Sequence, residues 1–200
     1  APWTKHGSVR LLKKELSLAI IGRLDTQKGH RYLFEALSLV RALPWTLHIY
    51  GSGSLEPKLE IELRALVRRL SLDQRVFWHG VSTAFSEVIG DIDVVIAPSL
   101  WEGRSLVVME SMAAGRVMIT SEAAGAEMVV HKKNGLVVPV KDSVRIAEAL
   151  RYMYSHRPLA RGFAKQAQQD AIASYSFDTH MKQLVKVYNE YLPKSRQIVY

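Results

Sequence analysis

"DVVIAPSLWEGRSLVVMESMAAGRVMITS", residues 93–121, carries the strongest indication of the fold in this chain. The stretch begins and ends with short apolar runs, VVIAPS and VMITS, that are rich in β-branched residues and do not alternate with polar ones. Such runs are typical of strands that are buried on both faces of a sheet. We interpret the segment between them, SLVVMESMAAG, as a helix. The stretch therefore predicts a strand, a helix and a second strand, which is the repeating unit of a parallel sheet.

The same pattern extends over most of the chain. Further apolar runs occur at LSLAIIG, WTLHIYG, RVFWHG and LVVPV, so that we expect about six strands in total. Helical patterns fall between them, with apolar residues at spacings of three and four. The residues that share one helix face are Leu33, Ala36, Leu37 and Val40 in one helix, and Leu59, Leu63, Leu66, Val67 and Leu70 in another. This alternation predicts an α/β fold with a doubly wound parallel sheet.

The C-terminal part changes character after Asp142, which we predict to be a helix N-cap. From there the chain is expected to form extra helices only. The last one, SFDTHMKQLVKVYNEYL, places its apolar residues on one stripe and is followed by Pro193, which stops a helix. The residues of that stripe are Phe177, Met181, Leu184, Tyr188 and either Tyr191 or Leu192.

The composition limits the classes of function. The chain has 200 residues, of which 48% are hydrophobic and 23% charged, a profile typical of a soluble globular domain. It has no cysteine, which excludes a disulfide framework, a thiolate metal site and a catalytic thiol and fits a reducing cytoplasm. The seven histidines show no ligand spacing, so we expect no metal.

The net charge of +8 favours anionic partners. These include nucleotide phosphates, nucleic acid and an anionic lipid surface. The basic residues are spread along the chain and are not interleaved with aromatic residues, so nucleic acid is not expected. The charge also points to an acceptor at a membrane surface or carried on a lipid, and to a cytoplasmic protein that is peripheral on the inner face of the membrane.

Glycines and charged residues follow the ends of the predicted strands. In an open parallel sheet, ligands bind beyond the carboxyl ends of the strands. One such loop would be ordinary turn chemistry, but five loops at one edge predict a binding site. The residues concerned are Gly22, Arg23, Lys28, Gly51, Ser52, Gly53, His79, Gly80, residues 98–102, Ala124, Gly125 and Glu127.

The first of these loops, GRLDTQKG, places Arg23 and Lys28 before a predicted helix. Two cations beside a helix N-terminus suit a diphosphate, because guanidinium, ammonium and free backbone N–H groups all favour anions. The alternative is that Arg23 pairs with Asp25 and Lys28 only solvates the turn. This loop alone does not decide between the two interpretations.

The second loop, GSGSLE, superficially resembles a dinucleotide fingerprint. Glu56 takes the position of the third glycine, and the loop follows the second strand instead of the first. We therefore do not expect NAD binding at this loop. A turn that approaches a ligand closely is the better interpretation.

Two carboxylates, Glu102 and Glu110, flank the start of the helix in residues 93–121. Glu102 lies in the loop before the helix, where it could face a ligand directly, whereas we expect Glu110 about two turns into the helix. A carboxylate is the usual partner of a ribose diol, and the N–H groups of Ser105 and Leu106 could meet a phosphate. The alternative is a pair of surface glutamates, one of them near a helix N-terminus. From this stretch alone the two interpretations are again equally good.

The spacing of these glutamates, with seven residues between them, resembles the donor-site signature of retaining glycosyltransferases of the GT-B fold, family 4. Other segments resemble the same family in the same order. They are IIGRLDTQKGHRYLFEAL, LHIYGSGSLEPKLE, DQRVFWHGVS, DIDVVIAPS and the final SFDTHMKQLVKVYNEYL. The resemblance runs from about residue 16 to residue 192.

The resemblance implies roles for particular residues. Arg23 and Lys28 would hold the donor diphosphate, Glu110 would bind the nucleotide ribose, and Glu102 would touch the hydroxyls of the donor sugar. Glu102, Arg23 and Lys28 would thus be the catalytic residues. The further donor-binding residues would be Gly22, Gly51, the loop from His79 and Gly80 to Ser82 near the base, and the backbone of Ser105, Leu106 and Val107.

The resemblance also implies an architecture. Residues 16–175 would form a Rossmann-like nucleotide-sugar-binding domain, the C-terminal half of a GT-B fold. Residues 1–15 would be the connection between domains, and residues 176–200 a crossover helix and tail. The N-terminal domain, which binds the acceptor in this family, would be missing.

The function implied is metal-independent transfer of a sugar, with retention, from a nucleoside diphosphate to an acceptor hydroxyl, in polysaccharide or glycolipid synthesis. No cofactor is expected besides the nucleotide-sugar substrate. Two alternatives remain open: a non-catalytic nucleotide-sugar-binding subunit of a split transferase, and a GT-B sugar-nucleotide epimerase.

Overall fold

A computed structural model of the chain describes residues 9, 14–53, 56–82, 85–125, 127–193 and 196–199. Six parallel strands form one sheet in the order β3-β2-β1-β4-β5-β6. The strands are β1 (Leu16–Ile21), β2 (Trp45–Tyr50), β3 (Val76–Gly80), β4 (Val94–Ala97), β5 (Val117–Ser121) and β6 (Leu136–Val138). All six predicted strands, and the parallel sheet that they imply, are confirmed.

The strand order reverses at β1, which pairs with β2 on one side and with β4 on the other. The chain therefore leaves β1 and β4 in opposite directions, and the loops after these two strands separate. In an open parallel sheet such a reversal leaves a crevice at the carboxyl edge, where ligands bind. The reversal thus places the expected binding site between the loops that follow β1 and β4.

Helices cover both faces of the sheet. They are α1 (His30–Leu39), α2 (Pro57–Arg69), α3 (Phe85–Ile89), α4 (Leu106–Ala113), α5 (Glu122–Gly125), α6 (Ser143–Ser155), α7 (Arg157–Tyr175) and α8 (Phe177–Tyr191). Two short 3₁₀ turns, Thr26–Lys28 and Asp73–Arg75, lie between elements. None of the helices in the described ranges is long and apolar enough to cross a membrane.

The core has two layers, one on each face of the sheet. Leu18 and Ile20 of β1 pack in the layer formed with α1, α2 and α6, whereas Ala19 packs in the layer formed with α4 and α7. Strand side chains alternate between the two faces, so burial on both sides leaves β4 with apolar residues only and β1 with Ser17 as its single polar residue. For this reason the strands occur in the sequence as nearly unbroken apolar runs.

Several local predictions are also confirmed. Leu33, Ala36 and Leu37 form the buried face of α1, and Leu63, Leu66 and Val67 that of α2. Asp142 caps α6, since its side chain accepts a hydrogen bond from the backbone N–H of Arg145 at 2.9 Å. The predicted connection at residues 1–15 falls largely outside the described residues, which omit 1–8 and 10–13. The domain limits at residues 15 and 175 therefore stay predictions, although β1 begins at Leu16 and α7 ends at Tyr175.

The last helix, α8, forms as predicted but buries no residue. Its apolar stripe lies in solvent, and Phe177, Tyr188 and Tyr191 are 60%, 54% and 85% exposed. Ser176 caps the helix through its hydroxyl, which accepts from the N–H of Thr179. The helix is thus held by its cap and by its junction with α7 more than by packing.

We expect α8 to exchange its amide hydrogens much faster than the rest of the fold. A helix without buried side chains opens locally at low cost, so amides from Lys186 onward should show weak protection. Amides of α7 around Ala164 and Ala167, which are buried, serve as the comparison within the same molecule. Hydrogen exchange followed by mass spectrometry measures both, and equal protection of the two helices would contradict the expectation.

A buried histidine opens α1. His30 is 1% exposed, and neither of its ring nitrogens has a hydrogen-bond partner among the described residues. Burial, assisted by the charge of Lys28, lowers the pKa of His30 from 6.5 to about 3. The ring is therefore neutral in the folded protein over the whole physiological range.

This histidine should make the fold sensitive to mild acid. Below pH 6.5 His30 becomes protonated in the unfolded chain but stays unprotonated in the folded chain. The free energy of unfolding therefore falls as the pH decreases toward 3. Between pH 7.5 and 5.5 this term amounts to about 1 kcal/mol. In urea titrations at the two pH values, His30→Leu should lose that dependence, whereas the exposed His180→Leu should keep it. An unchanged dependence in His30→Leu would show that His30 binds its proton equally well in the folded and the unfolded chain.

Candidate functional site

A cleft of about 400 Å³ lies at the carboxyl edge of the sheet, where the strand order reverses. Gly22 and Arg23 line it after β1, and Gly51 lines it after β2. The opposite wall comes from α4, through Val107 and Glu110. The cleft therefore brings together residues from the first and second predicted loops and from the helix that follows the fourth.

Glycine is required where the ends of β1 and β2 meet. Gly51 has φ +150°, and a Cβ atom there would lie 1.8 Å from the carbonyl oxygen of Gly22. The backbone N–H of Gly51 donates to the carbonyl of Gly80 at 2.7 Å, and that of Gly22 donates to Tyr50 at 2.9 Å. These bonds hold the three strand ends edge to edge, so that bare backbone forms the floor of the cleft.

Lys28 and Glu102 form an ion pair beside this cleft. The Lys28 Nζ atom lies 2.5 Å from Glu102 Oε1, and the Ser99 hydroxyl donates to the same oxygen at 3.0 Å. Only 18% of the Lys28 side chain and 10% of the Glu102 side chain are exposed. The stem of Lys28 packs on Gly22, where a Cβ atom would lie 3.1 Å from Lys28 Cε. The interpretation of Lys28 as a solvated turn residue is therefore wrong.

Arg23 makes the contact that the alternative interpretation foresaw. Its Nε atom lies 3.0 Å from Asp25 Oδ2, while 58% of its side chain stays exposed. The other oxygen of Asp25 accepts from the N–H of Lys28 at 3.1 Å and so caps the 3₁₀ turn. This pair does not remove Arg23 from the site, because Arg23 also lines the cleft. Asp25 instead holds the guanidinium at the rim.

The loops after β1 and β4 are bonded to each other across the strand reversal. The N–H of Leu100 donates to the carbonyl of Gln27 at 2.7 Å, and the Gln27 side chain donates to the carbonyl of Trp101 at 2.8 Å. Gly29, at φ +70°, lets the turn approach Pro98, because a Cβ atom there would lie 2.2 Å from the Pro98 carbonyl oxygen. Gln27 was not predicted as a site residue, and Ser99 was included only as part of the loop at residues 98–102, since no local pattern marks a residue that bonds across loops. Their only signal in the sequence is that they are the neighbours of Lys28 and Pro98 in the predicted loops.

Glu110 faces the cleft from α4. The helix begins at Leu106, so Glu110 is its fifth residue and lies little more than one turn from its start. The expectation of about two turns was wrong: even a helix that began at Ser105 would place Glu110 only about 1.4 turns from its start. Ser105 itself is extended at φ −76° and ψ 105° and precedes the helix without a side-chain capping bond. Partial burial raises the pKa of Glu110 above its ordinary value. None of the described residues donates a hydrogen bond to its carboxylate or forms an ion pair with it.

The start of α4 contributes backbone to the same edge. Ser105 is buried, Leu106 is exposed, and Val107 lines the cleft. The first N–H groups of a helix have no partner within the helix and carry a partial positive charge. The predicted backbone positions are therefore close to the cleft and suited to an anion, whereas Glu102 does not line the cleft but lies next to it, on Lys28.

His79 does not reach the cleft itself. Its exposed ring stacks on Tyr50, with ring centroids 4.5 Å apart, and its Nε2 atom lies 2.9 Å from Nδ1 of His48. Tyr50, Val81 and Ser82 are the residues of these strand ends that line the cleft. Burial raises the pKa of Tyr50 and, together with the neighbouring His79, lowers the pKa of His48. His79 is thus connected to the cleft only through Tyr50, and its donor-binding role stays a prediction.

The part of the chain that the structure describes contains no group of three or more His, Asp or Glu side chains arranged to hold a metal ion. Arg23 and Glu110 are the charged residues that line the cleft, and the ion pair of Lys28 and Glu102 lies beside it. Such a set can bind a phosphate group through the cations and hydroxyl groups through the carboxylates. The site thus suits a ligand that carries both.

Comparison with known proteins gives a consistent picture. Residues 15–156 match the model of a family described as "Glycosyl transferases group 1". An uncharacterized glycosyltransferase of Methanocaldococcus jannaschii, MJ1607, is 29% identical over 185 residues, which cover 90% of this chain and 46% of that protein.

Two solved structures show the same fold. Anabaena Alr3699/HepE in complex with UDP is 23% identical with a TM-score of 0.84, covering 88% of this chain and 49% of that one. The C-terminal domain of a group 1 glycosyl transferase, LpcC, from Francisella tularensis is 25% identical with a TM-score of 0.75, covering 83% of this chain and 89% of that domain. The chain thus spans about half the length of its full-length relatives and corresponds to a C-terminal domain.

Proposed function

Because the chain belongs to the group 1 glycosyl transferases, we propose that its cleft binds a nucleoside diphosphate sugar and presents the sugar for retaining transfer to an acceptor hydroxyl. The observation that carries this proposal is that Arg23 and Glu110 line one backbone-floored cleft at the strand reversal, with Lys28 packed on Gly22 at its edge. A relative of the same fold, HepE, has been solved with UDP. The sugar nucleotide is the ligand class that uses all of these groups together.

Each group has a proposed task. The carboxylate of Glu110, which has no protein partner among the described residues, accepts hydrogen bonds from the ribose diol. Arg23, Lys28 and the first N–H groups of α4 neutralise the diphosphate, which becomes the leaving group when the sugar is transferred. This charge supply takes the place of a divalent cation, so we propose a metal-independent reaction without a cofactor. Glu102 receives the sugar hydroxyls beside Lys28.

The base is expected between the strand ends of β2 and β3. Tyr50, Val81 and Phe85 give this end of the cleft an apolar, partly aromatic wall. Such a wall suits the faces of a nucleobase, while backbone and Ser82 supply polar contacts at its edge. The acceptor would approach from the side of Glu102 and, in the whole protein, from an N-terminal domain. We propose an acceptor in polysaccharide or glycolipid synthesis, in line with the net charge of +8.

The proposal is tested by measuring the melting temperature of the chain with UDP, GDP and ADP and with their sugar nucleotides. A ligand at about 100 times its Kd stabilises the fold by roughly 2.7 kcal/mol, which is a shift of several degrees. One base should give this shift, and EDTA should not abolish it. If no nucleotide raises the melting temperature of the folded chain, the proposed function is wrong.

Turnover separates the full transferase from the remaining alternatives. The proposed site accounts for the donor alone, so we expect this chain to bind the sugar nucleotide without sustained transfer to an acceptor. Incubation with the sugar nucleotide that binds, followed by chromatography of the products, tests this expectation. Sustained transfer would show that the chain is catalytically sufficient, and an epimerised sugar nucleotide would favour the isomerase.

A further inference from the structure

The ammonium group of Lys28 already has an anionic partner within the protein. Glu102 Oε1 lies 2.5 Å from Lys28 Nζ and also accepts from the Ser99 hydroxyl. A diphosphate that binds Lys28 must therefore compete with a carboxylate that belongs to the protein. The Glu102 carboxylate occupies the position beside Lys28 Nζ that a phosphate oxygen of the ligand would take.

This pair is built into the fold and is not a chance surface contact. Lys28 ends the 3₁₀ turn that Asp25 caps, and Glu102 follows the loop that Gln27 binds through two hydrogen bonds. Exposed ion pairs are worth little because water screens them and long side chains must be ordered. Here both side chains are largely withdrawn from water and both loops are fixed, so the interaction is stronger than on a free surface.

The pair affects two ligands differently. A bare nucleoside diphosphate draws Lys28 away and leaves the Glu102 carboxylate with the Ser99 hydroxyl alone. A nucleoside diphosphate sugar draws Lys28 away too, but its sugar hydroxyls can donate to the carboxylate that is released. Leaving a partly buried carboxylate short of partners is costly, so the first ligand bears a penalty that the second avoids.

We propose that Glu102 is a specificity-determining residue that disfavours the bare nucleoside diphosphate relative to the sugar nucleotide, by competing for Lys28. This inference rests on the proposed function and adds a consequence to it. The site binds its substrate in preference to the diphosphate left after transfer, and re-formation of the Lys28–Glu102 pair helps to expel that product.

Calorimetry on the full chain tests the inference with Glu102→Gln, which removes the charge and keeps the shape. Three ligands are compared: the nucleoside diphosphate that binds, inorganic pyrophosphate, and the matching sugar nucleotide. The variant should bind the first two about tenfold more tightly than the native chain, and should lose most of the preference for the sugar nucleotide. The exposed Glu122→Gln removes an equal charge after β5 and should change no affinity more than about twofold.

A second variant pair shows whether the gain acts through Lys28. In a Lys28→Met background, Glu102→Gln should give no gain for pyrophosphate or for the nucleoside diphosphate. Should Glu102→Gln fold poorly, Glu102→Ala should show the same gain in affinity.

The outcomes are distinguishable from those of the proposed function. If the native chain binds no nucleoside diphosphate, the proposed function fails and this inference with it. If the native chain binds one but Glu102→Gln binds it equally or more weakly, only the inference is overturned. A gain that persists without Lys28 would likewise overturn it, because the carboxylate would then act as a general repulsive charge.

Discussion

Replacing Lys28 with methionine is expected to weaken the binding of a nucleoside diphosphate by 10- to 100-fold while leaving the free nucleoside nearly unaffected. A hydrogen bond to a charged group is worth roughly 1.5–3 kcal/mol, and Lys28 is the less exposed of the two cations at the cleft. The nucleoside carries no phosphate and therefore lacks this contact. Calorimetry with both ligands gives the two ratios directly.

Two further variants test this assignment. The exposed Lys133→Met removes the same charge far from the cleft and should leave both affinities unchanged. Arg23→Ala should cost less than Lys28→Met, roughly 3- to 10-fold, because Arg23 is largely exposed and water screens its charge. Equal losses for the diphosphate and the nucleoside in Lys28→Met would remove Lys28 from the diphosphate site.

The sequence predicts the sheet well because burial on both faces leaves a strong local signal. Val94–Ala97 is buried at every position, and a short unbroken apolar run bounded by turn residues is typical of such a strand. For helix α8, the local pattern predicts the helix but not its packing. Its apolar stripe is evident in the sequence. Such a stripe indicates which face of a helix favours burial, but it does not identify the element that covers that face. The structure leaves that face exposed, and no local pattern could have revealed this.

The site was predictable in position and less so in its contacts. Glycines and charges at strand ends are local features, and general rules for parallel sheets place them at one edge. The pair of Lys28 and Glu102 joins residues 74 apart in sequence, so it depends on the strand order and on the Gln27 bonds that align the two loops. Likewise, the extended backbone of Ser105 just before α4 is not specified by any local pattern in the sequence.

Glu110→Gln is expected to weaken the nucleoside diphosphate and its sugar nucleotide by the same factor, about 10- to 100-fold. Glu110 lines the cleft, and a ribose diol that donates to its carboxylate is present in both ligands. Because the ionised carboxylate is the form that accepts these bonds, affinity of the native chain should also fall as the pH drops through the raised pKa of Glu110. The exposed Glu87→Gln on α3 serves as the control for charge. A loss confined to the sugar nucleotide would assign Glu110 to the sugar instead of the ribose.

The same substitution should stabilise the ligand-free fold. Partial burial without a protein partner disfavours the charged form of Glu110, which is why its pKa lies above the ordinary value of 4.5. As the pH rises from 4.5 through that higher value, the unfolded chain loses its proton first, so the free energy of unfolding falls and stays lower at neutral pH. Glutamine carries no charge and avoids this penalty, so Glu110→Gln should melt roughly 1–3 °C above the native chain at pH 7.5 and at the same temperature below pH 4.5. If the variant binds less tightly but melts at a higher temperature, Glu110 contributes to ligand binding and lowers the stability of the fold. Substitution of a glutamate with a structural role would instead lower the melting temperature. A lower melting temperature at pH 7.5 would mean that the carboxylate already has a favourable partner in the free protein.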